Sequence, residues 1–209
     1  MTEESSGESR QRAGLAWAVL AYGSWGFFPL FWKLLVAVPA LELVAHRVLW
    51  ACVAYLLLVA GRRRLGELRR ALVDRAVLRA IVPAALFVSV NWLVFVYAVV
   101  TDRVLHASLG YFLNPLVSIV LGLVFLRERM RPGQWVAVAI AVVGVVQMAT
   151  LADDLPWIGL VLALSFGLYG LTRKVAPIDG LLGATIESVL LVPIAIGYLV
   201  WLAGSDRGA

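Results

Sequence analysis

Residues 106–131, HASLGYFLNPLVSIVLGLVFLRERMR, decide how the chain is read. An apolar run is broken by Asn114-Pro115, carries small residues along its length, and stops at the Arg127-Glu128-Arg129 cluster. At helical spacing Ala107, Tyr111, Asn114, Ser118 and Gly122 share one face, while the other positions are mostly Leu, Val and Ile. A helix that is apolar on one side and small or polar on the other belongs in lipid, with its small face turned to neighbouring helices.

The composition extends that reading to the whole chain. Of 209 residues, 62% are hydrophobic and 15% charged, against about 25% charged in an ordinary soluble domain. Eight Trp and 18 Gly suit membrane helices and their interfaces. The one cysteine, Cys52, excludes an internal disulfide and a cysteine-based metal site, and two histidines leave little for any other. Neither a metal nor a cofactor is expected. The net charge of +5 is spread over short connectors, which speaks for membrane orientation and against a nucleic-acid partner.

Residues 1–12 (MTEESSGESRQR) are polar and expected to be a disordered cytoplasmic N-terminus. The first apolar run, Ala13–Val36, exceeds the 7–15 residues of a signal h-region and is taken as a spanning segment. Six more follow, at about 42–60, 77–100, 104–126, 133–150, 156–175 and 181–203, most near the ~20 residues that cross a bilayer. Period-two alternation is absent, which argues against a β-barrel. The 61–79 link carries seven arginines (62, 63, 64, 69, 70, 75 and 79) against Glu67 and Asp74. The 127–131 and 173–179 links are also basic, and the others neutral or acidic, as at Asp153-Asp154. This positive-inside pattern predicts a cytoplasmic N-terminus.

The first and sixth segments match at an offset of 141 residues: Ser24, Gly26 and Lys33 fall on Ser165, Gly167 and Lys174. The same offset carries Val48-Leu49 onto Val189-Leu190 and His46 onto Glu187. It spans five helices, so the second unit enters the membrane from the other side, as in an inverted repeat. The expected domains are a first five-helix repeat at 13–150, the first two helices of a second at 156–203, and a tail at 204–209. On that reading the chain is the N-terminal piece of a ten-helix protein. Seven helices also invite a receptor or rhodopsin reading, but residues 181–203 lack the lysine that a retinal Schiff base would need.

WGFFPLFWK (25–33), ELVAHRVLW (42–50), NWLVFVYAV (91–99), ASLGYFLNPLVSIVLGLVFLRER (107–129) and SFGLYGLTRK (165–174) resemble EamA-domain transporters of the drug/metabolite transporter superfamily. The similarity is to the RarD, or chloramphenicol-sensitivity, type, and runs from about Gly14 to Trp201. The resemblance implies an all-α polytopic membrane protein, built as two inverted five-helix repeats with the second incomplete here. It also implies secondary transport across the inner membrane.

Candidate site residues come from polar groups inside apolar runs. Pro115 lacks an N–H, so the carbonyl of Tyr111 is freed for water, an ion or a substrate donor, with Asn114 on the same face; alternatively, Asn114 only bonds to a neighbouring helix. Glu42 and His46 are an i,i+4 pair, and Arg47 lies roughly 7–8 Å into its helix. A charge at that depth marks a functional hypothesis unless it snorkels outward to Glu42 or a headgroup. His46 suits proton coupling. Glu187 is a carboxylate well inside an apolar run, a proton carrier or a structural acid paired to Lys174 or an arginine. Asn91-Trp92 and Tyr169 offer an amide and aromatic surface for an amphipathic substrate, or core packing. Tyr22 and Trp25 form a comparable face in the first helix, where Pro29 frees the Trp25 carbonyl.

These features point to a secondary transporter, not an enzyme, moving a small organic metabolite or drug by alternating access with proton coupling. The alternative is a non-transporting membrane protein or assembly partner. No HExxH, G-x-S-x-G or intramembrane aspartate pair supports an intramembrane enzyme. The expected partners are the lipid bilayer and a small-molecule substrate, with a homodimer also compatible.

Overall fold

Each apolar run forms a helix, and a further short helix forms in the arginine-rich link. The computed structural model describes residues 2–35, 37–127, 130–150 and 157–205. Glu128, Arg129, Asp153 and Asp154 lie outside the described residues. The elements are α1 (Thr2–Lys33), α2 (Ala40–Gly61), α3 (Leu65–Ala71), α4 (Arg75–Val100), α5 (Val104–Phe125), α6 (Pro132–Thr150), α7 (Trp157–Val175) and α8 (Gly180–Ser205). Five of them (α2, α4, α5, α7 and α8) are long and apolar enough to cross a membrane, with mean hydropathy from 1.3 to 2.0. Shorter apolar stretches occupy Gly14–Ser24 and Pro132–Gln147. The protein is an all-α polytopic membrane protein.

The chain divides into two compact units, one ending at Ala37 and one beginning at Val38. The first holds α1, which continues back to Thr2. Residues 2–12, expected to be disordered, are therefore helical, in keeping with the helix propensity of their Glu, Gln and Arg.

In the second unit α7 lies against both α4 and α5, α2 lies against α8, and α4 touches α2 and α8. Glycines set the closeness of α5 and α7. A Cβ placed on Gly110 would stand 2.9 Å from the Leu162 Cβ and 3.0 Å from the Gly159 carbonyl oxygen. One placed on Gly167 would stand 2.8 Å from Val117 Cγ1. Such close backbone approach is how helices associate where lipid removes the hydrophobic drive.

This contact corrects the face assigned to α5. Ala107 and Gly122 are buried as expected, but Tyr111 and Ser118 are exposed. Leu109, Val117 and Leu121, placed on the lipid side by the sequence, meet α7 instead. The glycines of α7 create hollows that take larger α5 side chains, which rotates the buried stripe by about one position. Outward positions such as Leu57, Leu86, Val124, Ile194 and Trp201 remain exposed apolar surface, suited to lipid. Hydroxyls within the spans bond to the preceding turn: Ser89 to the Ala85 carbonyl at 2.6 Å and Thr185 to the Leu181 carbonyl at 2.7 Å.

The 61–79 link, expected to be only a polar connector, contains α3. Leu68, Ala71 and Leu72, at helical spacing, turn its apolar side inward. They join Val59, Val77, Ile81, Leu182 and Ile186 in a core at this end of the bundle. Asp74 caps α4 by accepting from the Ala76 N–H at 2.8 Å, and Asp179 caps α8 by accepting from the Leu181 N–H at 3.0 Å. The other Asp179 oxygen accepts from Arg64 at 2.6 Å, while Arg64 also donates to Glu67 at 2.7 Å. Arg64 thus ties two connectors that are 115 residues apart in sequence together at one end of the bundle.

The hydrogen bonds from Arg64 hold both Asp179 and Glu67 below their usual carboxylate range. Because these acids are depressed in the fold, their contribution is complete above the unfolded carboxylate value, near 4, and is lost as pH falls through the lower folded value. The expected result is a small stability difference between the wild type and Asp179→Ala that is constant above about pH 5. It should narrow as pH falls below about 4 and shrink with added salt, as for an exposed ion pair. Thermal unfolding in detergent across pH measures it; a difference that grows in acid would contradict the clamp.

Candidate functional site

Polar and aromatic groups gather at two depths among α2, α4, α5, α7 and α8. Arg47 is seven residues into α2, about 10 Å at the helical rise, and Trp92 is eight residues before the end of α4, about 12 Å. The two meet: the Arg47 guanidinium carbon stands 3.3 Å from the Trp92 ring centroid, a stacked cation–π contact. Trp92 continues edge-on into Phe95 at 5.8 Å, and Phe95 into Tyr111 at 6.3 Å. Phe95 is buried, while Tyr111 keeps 52% of its surface.

Nearer the other side, Glu187 is seven residues into α8 and only 5% exposed. Its Oε2 accepts from the Tyr169 hydroxyl at 3.4 Å, and its Oε1 stands 3.5 Å from Arg173 Nε. That ion pair is loose, since Glu187 Oε1 and Arg173 Nη1 are both buried without a hydrogen bond. Gly183 makes room for the arginine, because a Cβ there would collide with the Arg173 guanidinium.

The candidate residues separate accordingly. Arg47, Trp92 and Tyr111 fall in one aromatic chain, and Tyr169 and Glu187 in one polar contact. Asn91 is engaged in packing: its amide donates to the Leu162 carbonyl at 2.9 Å and to Ser165 Oγ at 3.0 Å, tying α4 to α7. Asn114 accepts from Ser118 at 3.5 Å within its own helix. Glu42 and His46 share a face but do not pair; among the described residues neither makes a hydrogen bond or ion pair, and His46 is exposed. Arg47 does not reach back to Glu42, because stacking on Trp92 turns it inward. Tyr22 is 74% exposed, and the Trp25 side chain lies outside the described residues.

Sequence reading left out Arg173, counted there only as a connector charge, and Phe95. The spacing did carry a signal for the first: Tyr169 and Arg173 are four apart, so both face one neighbour across a helix. A separate cavity of about 530 Å³ lies by the arginine clamp, between α3 and the α7–α8 connection, lined by Glu67, Arg70, Asp74, Ile178 and Asp179. It opens beside the connectors, away from the polar groups within the spans.

Comparison with known proteins agrees with this architecture. The EamA-like transporter family matches residues 12–150. An uncharacterized transporter of Pseudomonas aeruginosa is 42% identical over 195 residues, covering 92% of this chain and 64% of its own length. RarD of Streptomyces exfoliatus is 43% identical over 200 residues, covering 96% and 64%. RarD of Escherichia coli is 40% identical over 195 residues, covering 93% and 66%. The chain spans about two thirds of the length of these relatives. No solved structure matches. A bundle of apolar helices with charged side chains set inside it, and identity near 40% to transporters over nearly its whole length, establish that the chain belongs to the EamA-like transporter family.

Proposed function

We propose that this chain serves in a secondary transporter that moves a small organic metabolite or drug across the cytoplasmic membrane by alternating access, coupled to protons. The supporting observation is Glu187, a carboxylate within a spanning helix, held between a tyrosine hydroxyl and an arginine on α7. An ionisable group at that depth is costly unless it is used.

In this reading the ion pair latches α7 to α8 while Glu187 is charged. A proton delivered to the carboxylate removes the attraction to Arg173 and releases the latch, giving a two-state element whose balance the proton biases. His46, at the position matching Glu187 under the 141-residue offset, is the exchange group nearer the opposite face. Residues 13–150 are then a first five-helix repeat, and 156–203 the first two helices of a second, inverted one. The arginine-rich connectors lie in the cytoplasm with the N-terminus, in keeping with the Arg64 clamp, which joins two of them.

Uptake by proteoliposomes containing the chain, with and without a pH gradient, tests the proposal. Accumulation should depend on the gradient in the wild type and fall by about 10²-fold in Glu187→Gln, with a loss also in His46→Ala. Uptake unchanged when the gradient is collapsed would remove proton coupling. Normal driven uptake in both variants would remove these residues from it.

A further inference from the structure

We infer that Arg47 and the aromatic row beside it form an anion-selective subsite, whose ligand is an organic acid carrying one carboxylate on a planar apolar body. It deepens the transport reading by naming a substrate class.

Arg47 is a charge with no counter-charge among the described residues. Arg47 is half-buried in a spanning helix and makes no hydrogen bond or ion pair with any described residue. Among the described residues the acids within the neighbouring spans are committed elsewhere or do not pair with it. Glu187 is engaged by Tyr169 and Arg173, and Glu42, one turn and a half back along α2, makes no hydrogen bond or ion pair with it. A guanidinium is always charged in proteins, so within the bilayer it calls for an external oxyanion.

Its geometry narrows the kind. Trp92 covers one face of the guanidinium, which fixes its plane and leaves the in-plane N–H donors as the means of recognition. Those donors form a fork matched to a carboxylate. Phe95 and Tyr111 prolong the aromatic surface away from Trp92, and Tyr111 stays accessible. An apolar ring attached to the acid would lie along that row. Asn91, the nearest amide in sequence, has its donors occupied by α7 and does not compete for the acid. Cationic ligands of the same shape are repelled.

An oxyanion at this position could come from a soluble acid or from a lipid headgroup, and the experiment separates them. The purified chain in phosphatidylcholine nanodiscs is titrated by equilibrium dialysis with phenylacetate, phenylacetamide and phenethylammonium, which share one shape and carry negative, zero and positive charge. Phenylacetate should bind saturably and at least about tenfold more tightly than the other two, a difference of about 1.4 kcal/mol. Arg47→Gln should abolish the preference. Arg47→Lys, which keeps the charge and loses the fork, should retain only part of it. Circular dichroism and monodispersity verify that the variants are folded. Equal binding of acid and amide, no binding of the acid, or unchanged preference in Arg47→Gln would overturn the subsite. If phosphatidylglycerol added to the discs stabilises the wild type over Arg47→Gln while phenylacetate does not, the oxyanion is a headgroup and the substrate assignment falls. Binding is read at equilibrium, so Arg47-dependent binding without uptake would count against the transport reading alone.

Discussion

Replacing Gly110 by alanine is expected to destabilise the second unit by about 1–3 kcal/mol, and by valine to a greater extent. The added methyl has nowhere to go: it meets the Leu162 Cβ at 2.9 Å and the Gly159 carbonyl at 3.0 Å. Both atoms are fixed to the α7 backbone, so neither can turn aside as the end of a flexible chain would. α5 and α7 must therefore separate, and the separation is felt along the contacts made by Leu109, Val117 and Leu121. Gly170, also on α7, gives the control, since nothing lies within 4 Å of a Cβ built there. Gly170→Ala should be neutral or stabilising by up to about 1 kcal/mol, because alanine is the better helix former. Thermal unfolding in detergent, followed by the fraction of monodisperse protein, compares the two. Equal behaviour of Gly110→Ala and Gly170→Ala would refute the tight crossing.

The second large effect is expected at the buried ion pair. Arg173→Leu leaves Glu187 charged, 5% exposed and without its cation, and removal of one partner from such a pair costs about 3–5 kcal/mol. The effect is a matter of the stranded charge more than of the lost attraction, for the contact itself is long at 3.5 Å and both partners keep an unbonded buried atom. The double variant Arg173→Leu/Glu187→Gln should therefore recover most of the loss, which a double-mutant cycle measures. Additive losses would show that Arg173 stabilises by packing and not by pairing. Gly183→Ala is a third arm: its methyl displaces the guanidinium without changing either charge, so it should weaken the pair while the bundle persists.

Much of this architecture was legible in the sequence. Apart from α1, which begins at Thr2 and not near Ala13, the apolar runs fix the spanning helices to within a few residues, because lipid requires every backbone group to be satisfied inside its own segment. The face of α5 was harder. Ala107 and Gly122 were correctly marked as buried, but Tyr111 and Ser118 turned out exposed, because the hollow into which α5 settles belongs to α7. α3 could have been found from Leu68, Ala71 and Leu72, yet seven arginines in its neighbourhood masked a stripe of only three residues.

The candidate site divides in the same way. That Arg47 and Glu187 are unusual follows from the sequence alone, since charge inside an apolar run is costly wherever the helix is placed. Their partners do not follow from it. Arg47 could equally have turned back to Glu42, and Asn91 could have lined a cavity. The structure stacks Arg47 on Trp92 from α4, binds Asn91 to Ser165 on α7 and gives Glu187 to Arg173. The sequence by itself determined an all-helical membrane protein and which polar residues enter the lipid, because those depend on properties summed along one segment. Only the tertiary structure decided which described partners those residues take, because hydrogen bonds and stacking act over a few ångströms between helices far apart in the chain.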